Sequence, residues 1–324
     1  MNAHGSKLNV GIIGSGSAAK LFASAVKSAQ GFDLWSFFSR DLRLSTQLSS
    51  DFGGRAKVSA HDSLDAMLAD PDLHVVIVAS PDSLHHPHVL AAARAKKHVM
   101  VEKPMATELA HADEMIAVCH ENQVCLSVGY RARWHGGHQW VAQRLHEGAF
   151  GKLRHVHSSW SYRDIDRSNW RYSGKFGPWA ALSKLGTHLV DFNLWMGDGE
   201  GDVDQLRSVI VRSGPNDESA VVSWKFTSKA TADLYTSVAF GDGESRVEIH
   251  CDNALITMEN TFSFAAGGKI LINGEPLAFP VVLEFEEELQ DLGRAIRSRQ
   301  APSVGGVIGR RNVDVLLQAI KENA

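Results

Sequence analysis

Several things are scarce in this chain, and each scarcity excludes a class of protein. Its 324 residues include three cysteines, Cys119, Cys125 and Cys251. An odd number without CxxC spacing suits reduced, buried thiols and argues against a disulfide framework or a cysteine zinc site. No apolar run approaches the roughly 20 residues of a membrane span, and the opening MNAHGSKLN lacks the apolar stretch of a signal peptide, so a cytoplasmic protein is expected. Lys/Arg runs are missing too and the net charge is only -4, which argues against nucleic acid or an anionic membrane as the main partner. There is no internal repeat and no low-complexity segment. What remains is a globular chain, 44% hydrophobic and 22% charged, too long for one ordinary core. Two domains and a small-molecule ligand are the expectation.

The run LNVGII (8–13) leads straight into Gly14-Ser15-Gly16-Ser17-Ala18-Ala19, and the helical pattern AAKLFASAVKSA follows. This is a strand, a glycine turn and a helix. Gly14 permits the tight turn, Gly16 lets a pyrophosphate approach the backbone, and Ala19 allows close helix-to-strand packing. Gly14, Gly16, Ser17 and Ala18 are therefore the expected phosphate cradle. Further apolar runs alternate with helical stretches: DLWSFF, HVVIVAS, KHVMV and VCLSVG. Such alternation predicts a doubly wound parallel α/β sheet of the Rossmann type over residues 1–129.

The end of the second strand chooses the nucleotide. NAD-binding folds place Asp or Glu there for the ribose hydroxyls, whereas DLWSFFSRD offers Ser39 and Arg40. A hydroxyl beside a guanidinium suits a 2'-phosphate, so NADP is favoured over NAD; the plainer alternative leaves Arg40 as a solvated helix-start residue. At the carboxyl end of KHVMV, where such folds place their ligands, VEKPM holds Lys103 on a stiff turn because Pro104 drives it toward an extended backbone. A lysine fixed in this way suits a proton donor.

After Gly129 the texture changes to alternating strands without intervening helices, among them HVHSSWSY, LRSVIVR, SAVVSWKFT, ADLYTSVAF, SRVEIHC and ALITMEN. They predict a largely antiparallel sheet in an α+β domain over residues 130–324, closed by two C-terminal helices. Five of the eight tryptophans lie between residues 130 and 180. Most are expected in the core, but Trp170 and Trp179 sit on the polar loop RDIDRSNWRYSGKFGPW and are the candidates for stacking on a sugar. The stretch LSKLGTHLVD puts Lys184, His188 and Asp191 at spacings of four and three, one face of an α-helix.

Together VGIIGSGSAA, ASPDSLHHPHVLAAARAKKHVMVEKPM and GYRARWHGGHQW resemble the Gfo/Idh/MocA oxidoreductases, a family named for glucose-fructose oxidoreductase and inositol dehydrogenase, and the pattern covers nearly the whole chain. The resemblance implies that Lys103 hydrogen-bonds the reacting hydroxyl or carbonyl, commonly beside a cis proline. It implies that Ser80, Pro81 and His85 line the dinucleotide, and that Glu102 contacts the nicotinamide ribose. The open face of the second sheet would join two or four copies. His85, His86 and His88 look like a metal cluster, but Pro87 interrupts them and no carboxylate is placed beside them, so no metal is expected.

LSKLGTHLVD corresponds to the family's DxGxHxxD helix. His188 and Asp191 match, and position 184, ordinarily Asp, is Lys. Two readings of Lys184 stay open. As a second ammonium near Lys103 it would depress a lysine pKa and take part in catalysis, or join Arg163 and Arg171 in holding an anionic sugar acid; alternatively it points to solvent and His188 works with Lys103 alone. The leading expectation is an NADP-preferring dehydrogenase of a sugar, cyclitol or sugar acid. The rivals are a non-catalytic dinucleotide sensor and an enzyme that couples two substrates on a tightly held cofactor.

Overall fold

The computed structural model describes residues 7–54, 57–164, 166, 168–265 and 267–322. Two compact units divide the chain: residues 1–129 with 285–310, and residues 130–284 with 311–324. The single boundary expected after Gly129 is thus corrected, because the chain returns to its first unit near its end.

In the first unit the elements alternate: β1 (Leu8–Ile13), α1 (Ser17–Ser28), β2 (Phe32–Phe38), α2 (Leu42–Gly53), β3 (Ser59–His61), α3 (Leu64–Leu68), β4 (Val75–Val78), α4 (His85–Arg94), β5 (His98–Glu102), α5 (Leu109–Glu121) and β6 (Leu126–Gly129). The strands pair in parallel in the order β3-β2-β1-β4-β5-β6, the Rossmann order. β1 and β4 read as continuous apolar runs because parallel strands are covered on both faces. Helix α1 buries Ala19, Phe22, Ala23 and Val26, the three-and-four spacing of one face. Phe22 alone is worth about 1.5 to 3 kcal/mol of burial, and its ring stands edge-on to Phe285 at 5.1 Å. Phe285 belongs to the returning segment, which also sends Leu289 and Leu292 into this core.

The second unit contains α6 (Gly136–His146), β7 (Leu153–Tyr162), α7 (Thr187–Met196), β8 (Val203–Ser213), β9 (Asn216–Phe226), β10 (Thr231–Ser237), β11 (Asp242–Cys251), β12 (Leu255–Glu259), β13 (Lys269–Ile272) and β14 (Glu275–Pro276). The C-terminal helices are α8 (Glu284–Ser298) and α9 (Gly306–Lys321). Its eight strands lie in the order β14-β13-β12-β11-β7-β10-β9-β8, antiparallel throughout except where β7 meets β10. One sheet face, with Val156, Val222, Leu234 and Ile249, joins α7 in the core. The other leaves Val209, Val211 and Val221 exposed, and Phe240 is exposed in the bend after β10. Among the described residues no helix is long and apolar enough to cross a membrane. The three cysteines are free; burial, with Cys125 nearby, pushes the Cys119 thiol up to about 12, so it is inert at neutral pH.

Candidate active site

At the end of β1 the backbone of Gly14 has φ +125°, and a Cβ there would stand 2.4 Å from the Ala79 carbonyl oxygen. Only glycine lets β1 and β4 come so close. Gly16 is the opposite case: a Cβ on it would meet nothing within 4 Å. That clear space lies at the first turn of α1, beside exposed Ser17 and half-buried Ala18, where unpaired backbone N–H groups and the helix dipole favour an anion. The residues present therefore fit a dinucleotide pyrophosphate.

The end of β2 has its own acid, and it is occupied. Asp41 caps α2 by accepting the Arg43 N–H and binds the Arg43 guanidinium through both carboxylate oxygens. Buried Ser39 accepts the Asp41 N–H, and Arg40 is exposed. Arg40 is near enough to help hold the His88 pKa down at about 4, a shift caused chiefly by burial.

At the carboxyl ends of β4 and β5, one imidazole ties two turns together. His85 is 1% exposed, with Nδ1 2.9 Å from the Pro104 carbonyl oxygen and Nε2 2.8 Å from that of Ser80. Both ring nitrogens of His85, expected to line the nucleotide, face backbone carbonyls and so join the turn after β4 to the turn after β5. Ser80 also joins His88 through its hydroxyl at 2.9 Å. Pro81 starts the turn over Asp82–Leu84, its carbonyl accepting the Leu84 N–H. Glu102 accepts the Lys103 N–H at 3.0 Å, and the Lys103–Pro104 bond is cis. Lys103 itself is 9% exposed. His86 turns away to Glu114 and stacks on His111, so the three neighbouring histidines do not converge. Among the described residues no group of His, Cys, Asp and Glu is arranged to hold a metal ion.

In the second unit the stretch Leu182–Gly186 is a π-helical turn that runs into α7. The Thr187 N–H reaches back five residues to the Leu182 carbonyl. Lys184 thus lies in the π-turn, while His188 and Asp191, three apart, lie within α7; such π-turns recur at functional sites. Asp217 anchors the turn by accepting the N–H groups of Ala180 and, at 2.7 Å, Leu182. His188 is 6% exposed and sits between the rings of Tyr130 and Trp160. Asp191 is structural: Arg133 donates to both of its oxygens and Asn312 to one, all within 3.0 Å.

Lys184 neither points into open solvent nor stands as an unpaired cation. Its ammonium binds the Asp164 carboxylate and lies 4.9 Å from the centre of the Tyr162 ring. Tyr172 donates its hydroxyl to the same Asp164 oxygen at 2.6 Å. Trp179 is 1% exposed in the core and cannot stack on a sugar, which corrects its assignment as substrate-binding. Trp170 is half-buried, edge-on to Phe176, with the Arg171 guanidinium 4.2 Å from its ring centre; Arg163 is exposed. Asp164, Tyr172, Tyr130 and Trp160 were missed from sequence, and only the excess of aromatics in this region hinted at them.

Comparison with known proteins agrees with this geometry. Residues 8–130 match the profile described as an oxidoreductase family with NAD-binding Rossmann fold, and residues 138–257 match the GFO/IDH/MocA C-terminal domain. The chain therefore belongs to the Gfo/Idh/MocA oxidoreductases. An oxidoreductase of Synechocystis, itself uncharacterised, is 24% identical over 97% of this chain and 87% of its own length. Levoglucosan dehydrogenase of Pseudarthrobacter phenanthrenivorans is 25% identical over 78% of this chain and 70% of its own. Among solved structures, aldose-aldose oxidoreductase from Caulobacter crescentus, complexed with glycerol, superposes with a TM-score of 0.89 at 23% identity, covering 98% of this chain and 97% of that one.

Proposed function

We propose that this protein moves a hydride between an NADP nicotinamide and a hydroxyl-bearing carbon of a sugar or cyclitol. The observation that carries the reading is Lys103: a nearly buried lysine at the carboxyl end of β5, on a turn fixed by Glu102 and His85, in the unit that holds the glycine cradle. When bound, the nicotinamide supplies or accepts the hydride. Lys103 Nζ takes the role of hydrogen-bonding the reacting oxygen and carrying its proton. Ser39 and the exposed Arg40 support a preference for NADP, since a hydroxyl beside a guanidinium suits a 2'-phosphate. The exposed Val209, Val211 and Val221 support self-association through the open face of the second sheet, as a homodimer or homotetramer, which light scattering would measure. The deciding experiment is a screen of aldoses, anhydrosugars, inositols and sugar acids with each nicotinamide cofactor, followed at the absorbance of the reduced form. Turnover of no hydroxylated substrate with either cofactor would remove the reading.

A further inference from the structure

The chain carries a lysine where its family ordinarily carries an aspartate, yet a carboxylate is still present beside that position. It arrives from a different element, just past the end of β7: Asp164 is fixed by its own N–H to the Val238 carbonyl and receives both the Lys184 ammonium and the Tyr172 hydroxyl. The side chains of Lys184 and Asp164 are 24% and 11% exposed, so the pair is only weakly screened by water. Burial alone would raise the Asp164 pKa, but the hydrogen bonds from Lys184 and Tyr172 outweigh it and hold the carboxyl below its usual range, keeping it charged at neutral pH.

Two consequences follow from this geometry. The positive charge of Lys184 is offset locally by Asp164, which weakens the attraction the lysine can offer an anionic ligand. Tyr172 lies in the short turn Trp170–Ser173, so the same carboxylate ties that turn to the π-helical turn four residues before His188.

We propose that Lys184, Asp164 and Tyr172 form a positioning triad that anchors the Trp170–Ser173 turn and neutralises the lysine, making the protein selective for neutral hydroxylated substrates over sugar acids. The proposal rests on the oxidoreductase reading for its selectivity and on geometry alone for its anchor. Lys184 and Asp164 act through the groups they hold, not on the reacting atoms.

The test compares kcat/KM for an aldose or inositol with that for the matching aldonate or uronate. Wild type should favour the neutral compound by at least tenfold. Asp164→Asn removes the carboxylate that offsets the lysine charge and should narrow that ratio by tenfold or more, mainly through a lower KM for the acid, because the cation regains attraction for carboxylate. Lys184→Arg should retain the wild-type ratio. A wild type that prefers the acid, or an Asp164→Asn ratio within twofold of wild type, overturns the selectivity. The anchor is read separately by chymotrypsin cleavage at Trp170, Tyr172 and Phe176, which should speed up severalfold in Asp164→Asn and Lys184→Met but not in Lys184→Arg. Unchanged cleavage overturns the anchor. Should wild type turn over no sugar at all, the oxidoreductase reading falls on its own, and the cleavage rates still decide whether the anchor exists.

Discussion

The ring of His85 stands 2.9 Å from the carbonyl oxygen of Pro104 and, on its other edge, 2.8 Å from that of Ser80. One side chain thereby couples the turn after β4 to the turn that carries Lys103. Replacing it with Leu removes the ring N–H that one of these carbonyls accepts, at a cost of roughly 1 to 3 kcal/mol. His85→Leu should lower the melting temperature by several degrees and reduce turnover at least tenfold. Because a misplaced turn is involved rather than a lost acid, the pH profile of the residual activity should keep its wild-type shape; a displaced profile would give His85 a proton-transfer role.

Lys103→Met keeps approximate length while removing the proton and charge. Turnover should fall by about two to four orders of magnitude with little change in cofactor affinity. Activity on the true substrate that survives the change would eliminate Lys103 as acid or base.

Arg40 tests cofactor choice. Arg40→Ala should weaken NADP binding about tenfold to a hundredfold, the loss of one charge-assisted contact of roughly 1.5 to 3 kcal/mol, and leave NAD nearly unaffected. Calorimetric titration of wild type with both cofactors is the first check, and equal affinities would sink the preference.

Legibility in the sequence tracked how local each signal was. The glycine turn and the buried strands of the first unit depend on neighbours in the chain, and both were readable. The π-turn at Leu182–Gly186 was not, because hydrogen bonds that reach back five residues leave no compositional mark. Asp164 lies 20 residues from Lys184 in a stretch whose polarity reads simply as loop. Trp179 was misplaced for a related reason: the loop ends before it, and Trp179–Leu182 runs into the core. The apolar face of α8 was plain, but periodicity says that a face is buried and not against which unit.

Acid should loosen the fold through His88. Its folded pKa is held at about 4 by burial, with His85 and Arg40 adding, while an unfolded histidine titrates near 6.5. Below about pH 6.5 the unfolded chain takes up a proton that the folded ring refuses. This contribution is therefore fully present above the unfolded pKa and drains away as pH falls toward 4. His88→Gln, which cannot titrate, should show a flatter decline in melting temperature across that window. A slope equal to wild type would shift the acid sensitivity to a ring such as His138, whose pKa burial also drives down.

Asp191 matches the family helix yet belongs to the scaffold. Its side chain is 2% exposed and that of Arg133 10%. Asp191→Ala leaves a buried guanidinium without its carboxylate and should cost about 3 to 5 kcal/mol, measured by chemical denaturation. A loss below 1 kcal/mol would mean that the Trp195 ring, 5.2 Å from the guanidinium, and its surroundings hold Arg133 without it.

The return of residues 285–310 to the first unit has a bearing on how such a chain is inherited. Phe285, Leu289 and Leu292 complete the hydrophobic interior that β1 and α1 begin more than 250 positions earlier. A recombination event at residue 129 would carry the nucleotide cradle into a new gene while leaving part of that interior behind. The cradle and the interior that supports it are thus inherited whole only when both segments of the first unit travel together.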